Sequence, residues 1–494
     1  MRISQTLINL ARLWKDGQGL ALSHQLMKVK VPLALFQMLF ETLQMQTADG
    51  FWEPRGPNYN DLPYATLTVA TISCLSYAKV IESKVKESVF AACSHLQSTQ
   101  TKETTKSSEL YRLAAVKSKS ALSADVRLYE SSNSPLPLKD LEQYTKFFSR
   151  LPCCRTSESW EVTAAMMEGL LFMPKLQDCR IDMFDREGMK ADGYLPFIAF
   201  TFTCANNLQP FRVNANILFD MMILTLRAYQ LDEYVEHVIG KYFGSALEPV
   251  KALILRLFSD GKVGYGTEVN KSSLGLGEGS SNVLKVTKTL SAFIHSILLH
   301  PAVEKSSNYN RNLLKNELQQ YLMSHITQLE DSQKFLTDGL VPFGSYNTWV
   351  RTTGAAHVFV TFSLAYLECL IPQTRNQQRT ADEQYIIQDI WCHLAKKVRM
   401  ENDHPSFARD QKEGNLNSLD FPEFRPTSDG IVDSAKGQLK RIILYEKQRC
   451  EKSLEILVGL GERMAAPVAT LRFYYYLTDV VGDVYAARDI STMS

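Results

Sequence analysis

The sequence predicts an all-α protein, and three observations carry that prediction. Apolar residues recur at helical spacing through most of the chain, for example in ILFDMMILTLRAYQLDEYVEHVIGKYF, VTKTLSAFIHSILLH and HVFVTFSLAYLECLI. The alternation of apolar and polar residues that is typical of strands is almost absent. Of the 494 residues, 45% are hydrophobic and 22% are charged, a balance typical of globular proteins with large cores. Helices of this length, joined by short loops, pack as bundles or stacked pairs.

Composition and charge exclude several classes of protein. The 54 Lys and Arg residues nearly balance the 53 Asp and Glu residues, so the formal net charge is +1 and no global field attracts nucleic acid or an anionic membrane. No apolar run approaches the ~18–20 residues that a membrane span needs. The nine Cys show no zinc-type CxxC spacing, and we expect free thiols in a reducing, cytoplasmic setting.

Two N-terminal segments have a structural interpretation. The segment MRISQTLINLARLWKDGQGL predicts an amphipathic helix, because it has neither the long uncharged apolar run nor the cleavage site of a signal peptide. Farther along, QTADGFW (46–52) predicts a corner that fixes one helix end against another. Gly50 permits the tight backbone of such a corner, and the Trp52 indole can stack there.

Three polar stretches interrupt the helical pattern. Residues 102–137 end in SSNSPLPL and predict a linker between domains. Residues 260–282 include SLGLGEGSSN, which suits a phosphate-binding loop or a surface loop; the surface loop is favoured because no GK[ST] follows and no strand precedes it. Residues 373–380 (QTRNQQRT) predict a solvated loop between helices.

An acidic motif follows an apolar helical run at 217–226. It consists of Asp232, Glu233 and Glu236 in AYQLDEYVEHVIG, and α-helical geometry places the first and last of these on one face, one turn apart. Two carboxylates in this arrangement can share Mg²⁺, which prefers oxygen ligands and commonly bridges carboxylates to the phosphates of a substrate. A solvated acidic helix face explains the same spacing, and for this motif taken alone it is the commoner case.

A second motif, in RMENDHPSFARDQKEGN, offers further oxygen ligands. Asn402, Ser406 and Asp410 have i, i+4, i+8 spacing, which places an amide oxygen, a hydroxyl and a carboxylate along one helix face. Arg399 lies close to the same face and can bind phosphate oxygens with both arms of its guanidinium group. The alternative is a helix that begins here, capped by Asn402 or Asp403.

The departure of a diphosphate explains why one chain would carry both motifs, which lie 170 residues apart (402 − 232). Metal ions held between two helices neutralise the charge that develops on the leaving group. The carbocation that is left needs a dry, aromatic-lined pocket, so that water does not quench it. The sequence offers many aromatic candidates and assigns none of them: Phe200, Phe202, Phe219, Tyr229, Phe359 and Phe362.

Several segments resemble fungal diterpene synthases of the bifunctional copalyl diphosphate/ent-kaurene synthase type. They are QTADGFW, PFIAFTFTCANN, FDMMILTLRAYQLDEYVE, SHITQLEDS, TWVRTTGAAHVFVTFSLAYLECL and RMENDHPSFARDQKEGNLNSLDFPEF. The resemblance covers essentially the whole chain and corresponds to the C-terminal, class I half of such enzymes. It implies a class I terpene synthase helical bundle at 131–494 behind a partial helical domain of the β type at 1–130.

The resemblance also implies roles for individual residues. In the family a DExxE-type motif and an (N/D)Dxx(S/T)xxx(D/E) motif hold a magnesium cluster. The first corresponds to the acidic motif, in which Glu233 is the less clear ligand, and the second corresponds to Asn402, Ser406 and Asp410. Arg399 matches an Arg that binds diphosphate, and a helix break at residues 353–355 places Gly354 where backbone carbonyls face the substrate.

Two departures from the family pattern bear on activity. No DxDD motif occurs, so cyclisation initiated by protonation is not expected. Pro405 lies inside the second motif, and an interior Pro typically costs ~3 kcal/mol and kinks a helix because it removes a donor and crowds the preceding turn.

These observations together predict a Mg²⁺-dependent enzyme that ionises a C20 prenyl diphosphate and cyclises it to a hydrocarbon such as a kaurene-type diterpene. Copalyl diphosphate, supplied by a separate class II cyclase, is expected as the substrate ahead of geranylgeranyl diphosphate. The alternatives are a degenerate or inactive synthase, a helical partner or scaffold protein, and a truncated form of a bifunctional cyclase.

Overall fold

The computed structural model describes most of the chain as helix. The described residues are 1–18, 21–52, 62–98, 106–121, 138–179, 184, 193–244, 246–259, 280–339, 341, 344–352, 355–371, 379–424 and 432–487. Among them there is no β-strand, and the only extended pairing is an isolated bridge between Gln46 and Trp52. The all-α prediction is confirmed.

The chain forms two compact units, Met1–Asp178 and Cys179–Ser494. The helices of the first unit are α1 (Arg2–Lys15), α2 (Val31–Gln44), α3 (Leu62–Ile72), α4 (Glu82–Ser98), α5 (Lys106–Ala121), α6 (Leu138–Phe148) and α7 (Ser159–Asp178). The amphipathic helix predicted at the N-terminus is α1. Its neighbour α2 buries Phe36, Phe40 and Leu43 and packs against α3 and α7, which gives this unit its core.

The predicted corner at 46–52 is confirmed in the first unit. Gln46 Nε2 donates to the carbonyls of Gly50 and Ser88, both at 3.1 Å, and Trp52 Nε1 donates to the Thr42 carbonyl at 2.5 Å. Gly50 has φ +89°, and a Cβ there would lie 2.8 Å from that of Ala91. Glycine is therefore required by both the backbone conformation and the space available.

The linker predicted at 102–137 is wrong in its first half. The segment 106–121 is α5, which packs against α3 and α4 and buries Ala115. The sequence reasoning missed this helix because its composition is polar and its apolar side is narrow. Residues 122–137 lie outside the described residues. The division into compact units also differs from the domain boundary at 130, because α2 packs against α7 and so includes α7 in the first unit.

The second unit contains α8 (Leu195–Asn207), α9 (Ala215–Tyr234), α10 (Gly240–Phe243), α11 (Glu248–Ser259), α12 (Ser280–Leu298), α13 (Pro301–Lys305), α14 (Asn308–Asp338), α15 (Tyr346–Thr352), α16 (Ala355–Leu370), α17 (Ala381–Glu413), α18 (Val432–Gly459) and α19 (Ala465–Ala487). Helix α16 packs against α9, α14 and α17, and α19 packs against α8 and α17. These six helices, α8, α9, α14, α16, α17 and α19, form the frame that the functional residues share.

The two helices that carry the motifs have clear start signals. Asn214 caps α9, because its side chain accepts from the backbone N–H groups of Asn216 and Ile217. Thr380 and Glu383 form a capping box at the start of α17. Helix α17 ends at Gly414, which has φ +78° and packs against Leu336. The chain can therefore turn back beside the last turns of α17.

The structure describes only part of the other two predicted loops. Residues 260–279 of the Gly- and Ser-rich stretch and residues 373–378 of the QTRNQQRT stretch lie outside the described residues. Helix α12 begins at Ser280, two residues before the predicted end of the first of these loops. No helix in the described part of the chain is long and apolar enough to span a membrane.

Candidate active site

A cavity of about 240 Å³ lies inside the second unit. Its walls are formed by α8, α9, α14, α16, α17 and α19, together with the turn after α17. Five of the predicted site residues line it: Asp232, Glu236, Arg399, Asn402 and Asp410. Tertiary packing thus brings together two motifs that are far apart in the sequence.

Two predicted site residues do not line the cavity, and a third is not among the described residues. Glu233 and Ser406 are not among the residues that line the cavity. Gly354 lies outside the described residues, as does Thr353; helix α15 ends at Thr352 and α16 begins at Ala355. The role of Gly354 in substrate binding stays a prediction.

The acidic motif crosses a change in helix type. After Tyr234 the chain continues as a π-helical turn, Val235–Ile239, in which hydrogen bonds join residues five apart. Glu236 therefore does not occupy the α-helical position that its spacing from Asp232 predicts, although both line the cavity. Single π turns are often found at functional sites.

Asp232 and Glu236 of the acidic motif both line the cavity, where their carboxyl groups interact unfavourably when both are charged. The Asp232 side chain is 45% exposed, and its Oδ1 lies 3.2 Å from Nδ1 of His325, a buried residue of α14. Desolvation by the cavity walls and the nearby charge of Asp232 raise the pKa of Glu236 to about 8, and Asp410 adds to this repulsion. Bringing a cation to this site would relieve that repulsion.

Ser406 and Asp410 of the second motif are buried and hydrogen-bonded to each other, whereas Asn402 is half-buried. Helix α17 continues without a break through Pro405. Oδ2 of Asp410 accepts hydrogen bonds from Ser406 Oγ at 2.5 Å and from Asn417 Nδ2 at 2.7 Å. Because the Ser406 hydroxyl donates to Asp410, it holds that carboxylate in place from behind the cavity wall.

The alternative in which Asn402 or Asp403 caps a helix is wrong, because both lie well inside α17 and Thr380 is its cap. Asp403 is 1% exposed. It accepts from Arg399 Nε at 3.0 Å and from the Ser418 backbone N–H at 2.9 Å. Desolvation raises the pKa of Asp403, and the Arg399 charge opposes that rise.

Arg399 is held firmly in the cavity wall. Besides Asp403, its guanidinium donates to the Leu416 carbonyl at 3.2 Å and to Gln328 Oε1 at 3.3 Å, and it lies 4.9 Å from the centre of the Trp349 ring. These contacts join α14, α15 and α17. They fix the position of the guanidinium, and the predicted contact with diphosphate stays a prediction.

Sequence reasoning missed other polar residues of the cavity. Arg409 is half-buried, with Nη2 at 3.4 Å from Asp410 Oδ1, and lines the cavity with Asn415, Gln328 and His325. The position of Arg409 inside the second motif was an available signal. His325 gave no such signal, because a single His in a long helix has no spacing partner.

Aromatic side chains form the rest of the lining. Three of the candidates from the sequence, Phe202, Tyr229 and Phe359, line the cavity, whereas Phe200 and Phe362 are fully buried outside it. The hydroxyls of Tyr229 and Tyr485 are hydrogen-bonded at 3.0 Å. Tyr194 stacks on Tyr229 with ring centres 5.0 Å apart. The cavity thus combines a cluster of charges with aromatic walls.

Known proteins with similar sequences share one activity class. The chain is 29% identical to pimaradiene synthase of Emericella nidulans, over 98% of this chain and 54% of that protein. It is 28% identical to ent-kaur-16-ene synthase of Fusarium fujikuroi, over 100% and 55% respectively. The chain is therefore similar in sequence to fungal diterpene synthases. A bifunctional premutilin synthase of Rhodocybe pseudopiperita is 25% identical, over 93% and 50%.

The chain spans about half the length of the curated relatives it matches. That share agrees with the resemblance to one half of a bifunctional enzyme. No family model matches the chain, and no solved structure matches it. The all-helical fold is the one that the resemblance implies.

The donor set fits Mg²⁺. Asp232, Glu236, Asn402 and Asp410 bring hard oxygen atoms to the wall of one cavity, where desolvation and the charge of Asp232 raise the pKa of Glu236. Within the described ranges, no three His, Cys, Asp or Glu side chains already lie close enough to hold a metal ion together.

Proposed function

We propose that the chain is a class I diterpene synthase, which ionises a C20 prenyl diphosphate with Mg²⁺ and cyclises it to a hydrocarbon. The observation that carries this proposal is the shared cavity, in which the two oxygen-rich motifs and aromatic walls meet. Copalyl diphosphate from a separate class II cyclase is the first candidate substrate, and geranylgeranyl diphosphate is the second. The similarity to diterpene synthases supports the substrate class.

The charged residues of the cavity would bind the diphosphate. Asp232 and Glu236 on one side, and Asn402 and Asp410 on the other, would hold Mg²⁺. When bound, Mg²⁺ supplies a positive charge that stabilises the departing diphosphate. The Arg409 guanidinium, beside Asp410, is placed to donate to diphosphate oxygens and so to orient the substrate.

The other walls would protect the carbocation that forms. Aromatic faces stabilise a nearby cation, and they exclude the water that would quench it. The hydroxyls among them are bonded to protein: Thr201 Oγ1 donates to the Phe197 carbonyl at 2.8 Å, and Thr225 Oγ1 donates to the Met221 carbonyl at 2.9 Å. These hydroxyls are therefore held by the backbone and are less available to attack the cation.

Product analysis tests the proposal. Purified protein is incubated with Mg²⁺ and either copalyl or geranylgeranyl diphosphate, diphosphate release is measured, and extracts are analysed by gas chromatography with mass spectrometry. We expect diphosphate release and a diterpene hydrocarbon with at least one substrate. The same reactions with EDTA, and with the Asp232→Ala and Asn402→Ala variants, are the controls and should show no turnover. The absence of release with every prenyl diphosphate from C10 to C25 would contradict the proposal.

Binding measurements separate the alternatives if turnover is absent. Calorimetric titration of the protein with Mg²⁺ and inorganic diphosphate would show binding without catalysis for an inactive synthase. A helical partner or scaffold protein would bind neither. The structure favours an intact binding site over a purely structural role, because α17 is unbroken at Pro405 and both motifs face the cavity.

A further inference from the structure

One face of helix α9 runs along the cavity, starting from its charged end. Residues 221, 225, 228, 229 and 232 all line the cavity, and steps of three or four residues place them on one side of the helix. Asp232 and Met221 are 11 residues apart (232 − 221) within this continuous α-helix. At 1.5 Å per residue, α9 therefore spans about 16 Å of cavity wall between the acidic motif and Met221.

Helix α19 forms a second wall of the same length. Its lining residues extend from Tyr474 to Tyr485, which are also 11 residues apart (485 − 474). The Arg472 guanidinium lies 4.8 Å from the centre of the Phe211 ring, just before α9 begins, and the Tyr485 hydroxyl is hydrogen-bonded to that of Tyr229. The two helices therefore run in the same direction, so their lower-numbered lining residues lie together at the end away from the acidic motif.

Packed side chains close this end of the cavity. Tyr474 and Ser363 both line it, and their hydroxyls are hydrogen-bonded to each other, which joins α19 to α16. Leu218 and Leu471, about one turn farther along α9 and α19, are 0% and 2% exposed and do not line the cavity. Among the described residues, Met221 is therefore the last α9 side chain before the core, and it forms part of the cavity floor.

We propose that Met221 limits the length of the prenyl chain that the cavity accepts, and this rests on the proposed function. The charged motifs would hold the diphosphate end of the substrate, so each added isoprene unit moves the other end of the chain toward Met221. A chain that is too long fits only if close-packed side chains move, which is unfavourable. Shortening Met221 to Ala removes three side-chain atoms and opens apolar space where the end of the chain arrives.

The test compares two substrate analogues on the same protein. Wild-type protein and the Met221→Ala and Met222→Ala variants are titrated by isothermal calorimetry, in the presence of Mg²⁺, with thiolodiphosphate analogues of the linear C20 and C25 prenyl diphosphates. The C–S bond of these analogues does not ionise, so binding is measured without turnover. Met222 is the matched control, because it is 0% exposed on the same helix and does not line the cavity.

The ratio of the two affinities reports the floor alone, because a partly unfolded variant loses the same factor for both analogues. We expect wild-type protein to bind the C20 analogue at least 10-fold more tightly than the C25 analogue. Met221→Ala should lower this preference about 10-fold, because the added methylene groups then enter apolar space. Met222→Ala should keep the wild-type ratio.

A substitution that raises the floor should have the opposite effect. Thr225 lines the cavity one turn nearer to Asp232 than Met221 does, which is about 6 Å. Thr225→Leu should therefore shift the preference from the C20 analogue toward the C15 analogue. This variant also carries the test if Met221→Ala does not fold.

Three results would overturn the proposal for Met221. They are the same C20-to-C25 preference in the two methionine variants, wild-type protein that binds the C25 analogue as tightly as the C20 analogue, and an unchanged C15-to-C20 preference in Thr225→Leu. Wild-type protein that binds none of the analogues would instead overturn the proposed function, and the proposal for Met221 with it.

Discussion

The two oxygen-rich motifs face the same cavity but are held in opposite ways. The acidic motif lies where α9 passes into a π-helical turn, with the Asp232 side chain 45% exposed. The second motif lies inside a continuous α-helix, and Asp410 accepts hydrogen bonds from Ser406 and Asn417. One side of the cavity therefore carries the partly exposed Asp232 beside the desolvated Glu236, whereas the other carries the buried Asp410, which is held by hydrogen bonds.

Because of this difference, we expect the two motifs to rearrange to different extents when a ligand binds. Asp410 of the second motif needs little rearrangement, because Ser406 and Asn417 hold its carboxylate before any ligand arrives. Desolvation and the neighbouring Asp232 charge raise the pKa of Glu236, and a cation at this side of the cavity would favour its ionised form. Ligand binding should therefore change the acidic motif more than the second one.

The largest expected effect is the loss of diphosphate release on replacing Asp232 or Asp410 by Ala. The two variants should differ in stability. Each Ala substitution should lower diphosphate release about 10³-fold, which is about 4 kcal/mol, because each removes a ligand of the cation. Asp232→Ala should leave the free energy of unfolding within about 0.5 kcal/mol of the wild type. Asp410→Ala should lower it by about 1–3 kcal/mol, because Ser406 and Asn417 lose their acceptor. Activity assays and urea unfolding check both parts; equal stability of the two variants would contradict the contrast.

The next largest effect concerns Asp403, which forms a buried ion pair with Arg399 beside the second motif. Asp403→Ala should lower the free energy of unfolding by about 3 kcal/mol, because it leaves the buried Arg399 charge uncompensated. Urea unfolding measures this change. Glu413→Ala is the control on the same helix; that side chain is 48% exposed, so its loss should change stability by less than about 0.5 kcal/mol. Similar values for the two variants would show that the ion pair with Asp403 is not a main support.

The smallest effect is a pH dependence of the acidic motif. Because the pKa of Glu236 is about 8 in the folded protein and near 4.5 in the unfolded chain, the folded state keeps a proton that the unfolded chain releases between these values. Metal-free stability should therefore fall as pH rises from about 5 to 8. Glu236→Gln cannot ionise and should lose less stability over this range, by about 1 kcal/mol or less since the side chain is partly hydrated. Urea unfolding with EDTA at pH 5 and 9 tests it; parallel pH profiles would contradict it.

Sequence patterns were sufficient for the helices and for much of the site. Apolar spacing predicted α9, α16 and the all-helical fold, and the start and stop residues of α17 follow ordinary capping rules. The sequence alone also singled out Asp232, Glu236, Asn402 and Asp410, which do meet in one cavity. Local patterns predict such features because they depend on neighbours within a few turns of the chain.

Other features depended on contacts that local patterns do not encode. Helix α5 was taken for a linker because its stability comes from packing against α3 and α4 rather than from a strong apolar face of its own. The π turn at Val235–Ile239 was not predicted, because the spacing of Asp232 and Glu236 suits an α-helix equally well. Asn417 was missed because its partners, Asp410 and Ser406, are reached only when the chain turns back after Gly414.

The sequence by itself determined the helical class, the two motifs and the kind of ligand atoms that they carry, because periodicity and residue chemistry are local properties. Tertiary structure decided which of those atoms face a common cavity and which are turned away to support the others. It also placed His325 beside Asp232 and Arg399 against Asp403 and Trp349. The physical reason is that burial, desolvation and ion pairing between distant helices depend on how the helices pack, and no spacing along one helix specifies that packing.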